Sequence, residues 1–325
     1  MKKKDGFLKS LVKARPFPGM ILVIAFFVWD MLFVKGFTRP SSLRYFTNIM
    51  VPLACLSMGM TVTIISGGID LSVGALVCVV NCTMVVLLEQ GMPLAAAITI
   101  GILIGAGVGL INGLIIAFLR ISPLLVTYAM QIICSGLALL IRPIASGTGD
   151  PAYIKWYSRT QVLGIPISLI VFVIVPLILW YVIKMTPIGP QLYAVGINEK
   201  KAFETGINTR KILVFAYTFS GLMAGIGAIA FSGNIVGGDP KAGLSFTMNA
   251  VAAAVVGGAS LSGGEGDPIG GVFGALFINL ATYAVLGANV STYFEELASG
   301  LIILVGVIGM MLYNLLKSRK RGVAA

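Results

Sequence analysis

The chain has 325 residues, of which 58% are hydrophobic and only 11% are charged, whereas a soluble domain carries about 25% charged residues. A soluble fold of this length would cover its core with charge, so most of the outer surface must face lipid. The chain contains no histidine and only twelve carboxylates, which removes the usual parts of hydrolytic and redox mechanisms. The net charge of +11 lies in loops and termini beside apolar runs, a pattern that fixes membrane orientation, and we expect no nucleic-acid partner.

The predicted elements begin with a basic segment, residues 1–16, which lacks a small-residue cleavage site and is interpreted as a retained cytoplasmic flank. Ten apolar runs follow, and we predict an all-α polytopic membrane bundle of about ten helices over residues 17–316, with a basic cytoplasmic C-terminus at 317–325. The predicted helices are Phe17–Val34, Ile49–Ile65, Leu71–Leu88, Pro93–Leu119, Leu124–Ile141, Ile165–Ile183, Ile212–Phe231, Phe246–Val256, Ile269–Leu286 and Leu297–Leu316. The eighth is short and rich in Ala and Gly.

Charge placement predicts the orientation of these helices. Six basic residues against Asp5 alone precede the first helix, and four basic residues follow the last one, so both termini should be cytoplasmic. An even number of crossings is then required, and ten satisfies it. On this count the segment 185–211, which also carries a cluster of Lys and Arg, is a cytoplasmic loop.

Few reactive groups lie inside the apolar runs. Four cysteines occur there without zinc-type spacing, so we interpret them as small packing residues and expect no metal site: Cys55, Cys78, Cys82 and Cys134. Asp30 lies near the outer end of the first helix and is interpreted as an interfacial residue that reaches the lipid headgroups.

Glycine spacing predicts close helix packing. The fourth helix carries Gly101, Gly105, Gly109 and Gly113 at every fourth position, a stripe without side chains that lets another helix approach. The pairs Gly221/Gly225 and Gly270/Gly274 repeat this spacing. Packing within one subunit is favoured over a dedicated subunit interface.

Two passages resemble each other: GGIDLSVG at 67–74, the first glycine passage, and GGASLSGG at 257–264, the second glycine passage. Each follows an apolar helix and opens another. Asn112 and Asn279 are followed at equal offsets by Ala and Leu. We therefore predict an internal two-fold repeat with broken, glycine-rich helices near the transport path. Two convergent Gly/Ser turns are the alternative.

Asp70 is a carboxylate between two apolar runs, which is costly unless it is paired, interfacial or lines water. It directly precedes the third helix, where it could cap free amides, and this interpretation is slightly favoured over contact with substrate. The residues predicted to line a substrate pathway are Asp70, Ser72, Asn112, Asn249, Ser260, Ser262 and Asn279.

Three ordered motifs carry a family resemblance: the first glycine passage, GPQLYAVGINEKKAFETGINTRK at 189–211, and MNAVAAAVVGGASLSGGEG at 248–266. Together they resemble the permease subunit of bacterial ABC importers for ribose, galactose and xylose. The resemblance implies a permease of ten or nearly ten spans in the cytoplasmic (inner) membrane. It also implies two permease copies on two ATP-hydrolysing subunits, which receive a sugar from an external solute-binding protein.

The resemblance also implies that the cytoplasmic loop docks on the ATPase, through Ala194, Gly196, Asn198, Glu199, Ala202, Gly206 and Asn208. From the residues alone, 199–205 could form a short helix that Gly206 ends as a glycine cap, and small residues would let a partner approach. A solvated linker is the alternative. No phosphate-binding loop of the G-x-x-x-x-G-K-[ST] type occurs, so ATP is expected to be used by a separate subunit and no cofactor by this chain.

Three functions were weighed on these grounds. The first is a permease subunit, not an enzyme, under the control of a separate ATPase. The second is an ion-coupled secondary transporter, which would need more intramembrane ionisable groups than Asp30 and Asp70. The third is a membrane enzyme, disfavoured by the missing histidine. Neutral polar residues within the spans suit an uncharged hydroxylated solute, although helix-to-helix hydrogen bonds explain many of them equally well: Thr61, Thr63, Asn81, Asn112, Thr127, Tyr128, Gln131, Asn249, Asn279, Thr282 and Tyr283.

Overall fold

The structure is a computed structural model that describes residues 17–147, 153, 157, 161–162, 165–235, 237–287, 294, 297–298 and 300–309. Within these residues the fold is mainly helical, with one small antiparallel ribbon of strands β1 (Gln161–Val162) and β2 (Ile165–Pro166). The helices in chain order are α1 (Phe17–Phe33), α2 (Pro40–Ile65), α3 (Val73–Glu89), α4 (Leu94–Leu119), α5 (Pro123–Ile141), α6 (Ile167–Met185), α7 (Ile188–Ile197), α8 (Glu199–Glu204), α9 (Thr209–Ser232), α10 (Phe246–Val256), α11 (Pro268–Gly287) and α12 (Gly300–Gly309).

Six of the described helices are long and apolar enough to cross a membrane, namely α2, α4, α5, α6, α9 and α11. The shorter apolar helices are α1, α3, α10 and α12. These lengths and compositions confirm an all-α membrane protein. The number of crossings and the internal repeat remain predictions, and the basic segments 1–16 and 317–325 lie outside the described residues.

Helix α2 forms the centre of the bundle. Within its apolar segment 94% of the residues are buried, against 17% for α6. Helices α9, α11, α10 and α6 pack around α2, and α3 is enclosed by α9, α5 and α4. The outer helices α4, α5 and α6 carry many exposed apolar side chains, as expected of a surface that faces lipid.

A proline inside α2 creates a contact that a regular helix would not make. Pro52 has no amide hydrogen, so the carbonyl of Asn48, one turn earlier, loses its helical donor. The side-chain amide of Asn234 donates to this carbonyl at 3.0 Å, and the Tyr157 hydroxyl donates to it at 3.3 Å. The freed carbonyl therefore ties α2 to the segment that follows α9.

The glycine stripe of α4 packs against α9. A methyl group on Gly105 would lie 2.8 Å from the Cα of Gly225, and one on Gly109 would lie 3.0 Å from the Cα of Gly221. In the same way Gly274 of α11 abuts the backbone of α10. These contacts lie within one chain and confirm that the glycine spacing serves close helix packing.

The boundaries of the predicted helices agree with the structure, with one clear exception. Helix α2 begins at Pro40, well before the predicted start at Ile49, because a proline fits the first turn of a helix and the polar residues after it do not interrupt the backbone pattern. The last predicted helix is described only as far as Gly309.

The predicted interfacial position of Asp30 is wrong. Asp30 is fully buried, and neither carboxylate oxygen has a hydrogen-bond partner among the described residues. The reason is the face on which it lies: Phe26 packs edge-on against Phe277 of α11 at 5.2 Å, and Val34 packs on Gly287. Asp30 lies one turn from both, and so it faces α11 instead of the lipid headgroups.

Candidate functional site

A buried polar network surrounds Asp70, in the loop between α2 and α3, where Asp70 is only 1% exposed. Its Oδ1 accepts hydrogen bonds from the amide (3.0 Å) and the hydroxyl (2.5 Å) of Ser72, and its Oδ2 accepts one from the hydroxyl of Ser220 on α9 at 2.8 Å. On α4, Asn112 Nδ2 donates to the Ser72 hydroxyl oxygen at 3.0 Å. The Asp70 network thus joins one loop to two helices.

Polar groups without partners lie at the edge of this network. A side chain on Gly68 would overlap the hydroxyl of Tyr217, which is buried and has no hydrogen-bond partner among the described residues. The Oδ1 atom of Asn112 is in the same condition.

The structure assigns the cap of α3 to Thr247 and not to Asp70. The amide of Gly74, in the first turn of α3, donates to Thr247 Oγ1 at 3.1 Å, and the Thr247 hydroxyl donates to the carbonyl of Leu71 at 3.3 Å. Asp70 accepts from Ser72, the residue that precedes the helix, and so shapes the turn before it. Thr247 of α10 therefore caps the helix, and Asp70 of the loop shapes the turn before it, whereas the sequence suggested the cap for Asp70 alone.

A non-helical segment, residues 237–245, runs along the buried helix α3 before α10 begins. The amide of Asp239 donates to Asn81 Oδ1 at 2.9 Å, and the amide of Gly243 donates to Cys78 Sγ at 3.2 Å. Side chains of α3 therefore satisfy backbone groups that no helix satisfies, as an apolar interior requires. Helix α10, which follows this segment, has only 11 residues.

The two glycine passages meet at the end of α7. The amide of Gly264 in the second passage donates to the carbonyl of Ile65, two residues before the first passage, at 2.9 Å. Gly196 of α7 packs against both of these residues, and the Tyr193 hydroxyl donates to the carbonyl of Gly266 at 2.9 Å. The loop predicted to dock on an ATPase thus contacts both passages.

The predicted short helix in that loop is confirmed. Helix α8 ends at Glu204, and the amides of Gly206 and Ile207 donate to the carbonyls of Phe203 and Ala202 at 2.9 and 3.1 Å. This pair of bonds is a Schellman motif, which requires the left-handed backbone seen at Gly206, with φ of +87°.

Two predicted coupling residues are helix caps. The side-chain oxygen of Asn198 accepts from the amide three residues later at 2.9 Å and begins α8, and Asn208 does the same for α9 at 3.1 Å. Glu199 forms an ion pair with Arg120 at the end of α4. These contacts fix the loop against the bundle, and a solvated linker is therefore excluded.

The coupling role of Ala202 stays a prediction, and its burial leaves little of its side chain open to direct contact with a partner. Ala202 is only 4% exposed, because α8 turns it toward the core, and Ala194 and Gly196 are partly buried. The exposed large apolar side chains of α7 and α8 are Ile197 (72%) and Phe203 (66%), which the sequence reasoning missed. The signal for Phe203 was a large apolar residue within the charged stretch 199–204.

An open cleft of about 640 Å³ lies beside Phe203, between the ends of α4 and α8 and the start of α9. The residues that line it are Arg120, Phe203, Gly206, Ile207, Asn208, Thr209 and Arg210. It joins an apolar ring to two guanidinium groups on the outer side of the loop.

Four of the predicted pathway residues lie outside the Asp70 network. Asn279 donates to the carbonyl of Ala275 in its own helix at 2.9 Å, and Asn249 is partly buried on α10. Ser260 is partly buried and Ser262 is exposed in the second glycine passage. Their role in a pathway stays a prediction. Sequence reasoning missed Ser220 and Thr247, because serine and threonine are common in apolar helices and their pairing depends on the fold.

Within the part of the chain that the structure describes, no group of three or more His, Cys, Asp or Glu could hold a metal ion. The four cysteines are free and buried. The described groups offer hydrogen bonds and tight backbone junctions, which suit the handling of a neutral solute or a change of shape.

Comparison with known proteins identifies the group to which such a chain is similar. Residues 42–310 match the model of a family described as branched-chain amino acid transport system / permease component. No solved structure matches this chain significantly.

Individual relatives cover most of the chain. The ribose import permease protein RbsC of Haemophilus influenzae is 33% identical over 304 residues, which cover 92% of this chain and 93% of that protein. RbsC of Bacillus subtilis is 31% identical, covering 94% and 93% respectively. The galactofuranose transporter permease protein YtfT of Escherichia coli is 32% identical, covering 79% and 76%.

Proposed function

The chain belongs to the family of the branched-chain amino acid transport system permease components, and on that premise we propose that it is the membrane-spanning subunit of an ATP-binding cassette importer for a monosaccharide. The observation that carries this proposal is the loop of α7 and α8, which presents exposed apolar side chains outward and contacts both glycine passages inward. A loop of this kind can pass a movement from an outside partner to the centre of the bundle.

The substrate class is proposed from the relatives and from the polar groups. Relatives that cover more than nine tenths of this chain are named for ribose import, and another is named for galactofuranose. The Asp70 network and the neutral polar residues of the spans offer donors and acceptors suited to hydroxyl groups. Within this proposal the path passes near Asp70, Ser72 and Asn112, with Asn249, Ser260, Ser262 and Asn279 as further candidates.

The partners follow from the same premise. A separate ATPase would dock on the exposed face formed by Ile197, Phe203 and the cleft beside them, because apolar and arginine side chains are favoured at protein interfaces. An external solute-binding protein would deliver the sugar, and a second permease copy would complete the path. We further propose about ten crossings of the bacterial inner membrane, with both termini and residues 185–211 in the cytoplasm.

The proposal is tested by uptake of radiolabelled D-ribose, D-galactose, D-xylose and L-leucine in cells of the source organism with and without the gene. We expect loss of uptake of at least one monosaccharide in the deletion strain, restored by the gene, and unchanged uptake of leucine. The reason for including leucine is the family description. If only leucine uptake were lost, the proposed substrate would be an amino acid and not a sugar.

A further inference from the structure

One backbone hydrogen bond joins the centre of the first half of the chain to the second half. The amide of Gly264, between α10 and α11, donates to the carbonyl of Ile65 at the end of α2 at 2.9 Å. Gly196 of α7 covers this bond: a methyl group on Gly196 would overlap the Ile65 oxygen and lie 2.6 Å from the Gly264 nitrogen. Any side chain at Gly196 would therefore push the two partners apart.

Backbone meets backbone throughout this contact. A methyl group on Gly263 would lie 2.9 Å from the Cα of Gly67 and 2.8 Å from the carbonyl oxygen of Gly196. At Gly196 and Gly263 three chain segments thus touch backbone to backbone, and the Ile197 side chain lies against Gly264. Because close-packed backbones cannot absorb a displacement, a shift of α7 must move the other two segments or break the contact.

Helix α7 also holds the segment that directly follows the second passage. The Tyr193 hydroxyl donates to the carbonyl of Gly266 at 2.9 Å, and Tyr193 lies three residues before Gly196, on the same side of the helix. On the other side of the junction, the first passage contains Ser72, which accepts a hydrogen bond from α4, and Asp70, which accepts one from α9. The junction is therefore connected to both halves of the bundle.

We propose that Ile65, Gly67, Gly196, Gly263 and Gly264 form a latch that closes the transport path on the side of the coupling loop. Displacement of α7 opens this latch by separating the Ile65 carbonyl from the Gly264 amide. Gly196 is then a positioning residue, because the absence of a side chain keeps the latch shut. The inference rests on the proposed function, since a partner ATPase would supply the displacement.

The first test is Gly196→Ala in the full-length chain, purified in detergent and followed by amide hydrogen exchange. We expect exchange in the peptide that contains Gly264 to rise about tenfold or more, because the added methyl group separates the Gly264 amide from the Ile65 carbonyl that accepts its hydrogen bond. The matched control is Gly107→Ala on α4, where the methyl group would meet no atom within 4 Å. Its exchange should equal that of the unchanged protein.

A milder variant keeps the test decisive if Gly196→Ala lowers the yield of folded protein. Tyr193→Phe keeps the ring and removes the donor to Gly266, two residues beyond the second passage, so exchange in the peptide that contains Gly264 should rise by a smaller factor. Unchanged exchange in that peptide of Gly196→Ala would overturn the latch.

Uptake separates this inference from the proposed function. The Gly196→Ala protein should still co-purify with the ATPase, since Ile197 and Phe203 are unchanged, but uptake of radiolabelled D-ribose or of the sugar identified above should fall at least fivefold. If exchange rises at Gly264 in Gly196→Ala but the unchanged protein has no ATPase partner, the latch stands and the proposed function is refuted. Normal uptake by Gly196→Ala would refute the latch.

Discussion

Asp70 accepts hydrogen bonds from the loop that contains it and from α9, and its partner Ser72 accepts one from α4. Burying a carboxylate costs free energy of folding, and the hydrogen bonds from these partners offset that cost only while all of them are present. Removing the carboxylate leaves the Ser72 amide and the buried hydroxyls of Ser72 and Ser220 without their acceptor. The network therefore makes separate predictions for the shape and for the charge of this side chain.

We predict that Asp70→Leu lowers the free energy of unfolding by about 2–3 kcal/mol, because two buried hydroxyls lose their acceptor. Asp70→Asn keeps one acceptor oxygen and should cost about 1 kcal/mol, with a partial loss of uptake at normal membrane abundance. Thermal unfolding in detergent and sugar uptake in cells measure the two effects. An unchanged melting temperature for Asp70→Leu would show that the network contributes nothing.

At the scale of single residues, the sequence could identify polar positions but not the direction in which they point. The sequence predicts Asp70, Ser72 and Asn112 as pathway residues because polar residues are conspicuous beside apolar runs. The structure brings these three residues together. Asp30 was misplaced because its position along α1 says nothing about which face it occupies. The sequence did not indicate that Ser220 belongs to the Asp70 network, because its role depends on the packing of α9.

At the scale of elements, α8 shows how a helix of six residues divides its roles. Ala202 faces the core, and Phe203 beside it faces outward, so neighbouring positions of one short helix are buried and exposed. The Schellman motif at Gly206 fixes the end of the helix and therefore the direction of Phe203.

The exposed Phe203 predicts a docking defect that is independent of folding. We expect Phe203→Glu to lose co-purification with the ATPase and to reduce sugar uptake about tenfold or more, because a charge replaces an apolar contact at the interface. Membrane abundance should be unchanged, since the side chain is exposed. Phe203→Leu is the matched control and should retain most binding. Normal co-purification of Phe203→Glu with the ATPase would show that the docking surface lies elsewhere.

Apolar runs were sufficient to locate the helices, because lipid imposes a length and a composition on every spanning segment. They were not sufficient for α2, whose polar first turns lie outside the apolar run. The contact between the two glycine passages was also beyond prediction: their similarity suggested equivalent places in two repeats, whereas the hydrogen bond from Gly264 to Ile65 depends on the arrangement of the whole bundle.

At the scale of the molecule, the ends of the helices define two sides. One side carries the coupling loop and the two glycine passages. The other carries the ion pair between Arg142 and Glu89 and the bridge between Ser146 and Gly238. If lysine and arginine placement sets the orientation, the first side is cytoplasmic.

This orientation predicts the labelling of introduced cysteines by a membrane-impermeant thiol reagent. Ile144→Cys, at an exposed position beyond α5, should react in intact cells, and Lys200→Cys on α8 should react only after lysis. Background reaction should be low, because the four native cysteines are buried. Labelling of Lys200→Cys from outside would invert the topology and exclude docking of a cytoplasmic ATPase on this loop.

The energy source of sugar uptake tests whether the chain is part of an importer powered by ATP. Such an importer and an ion-coupled transporter respond oppositely to two treatments. Cells that express the chain are given the identified sugar in radiolabelled form, with an ionophore that collapses ion gradients or with arsenate that depletes ATP. We expect uptake to continue with the ionophore while ATP is maintained and to stop with arsenate. Uptake that stops with the ionophore and continues without ATP would contradict the proposal that the chain is part of an importer powered by ATP.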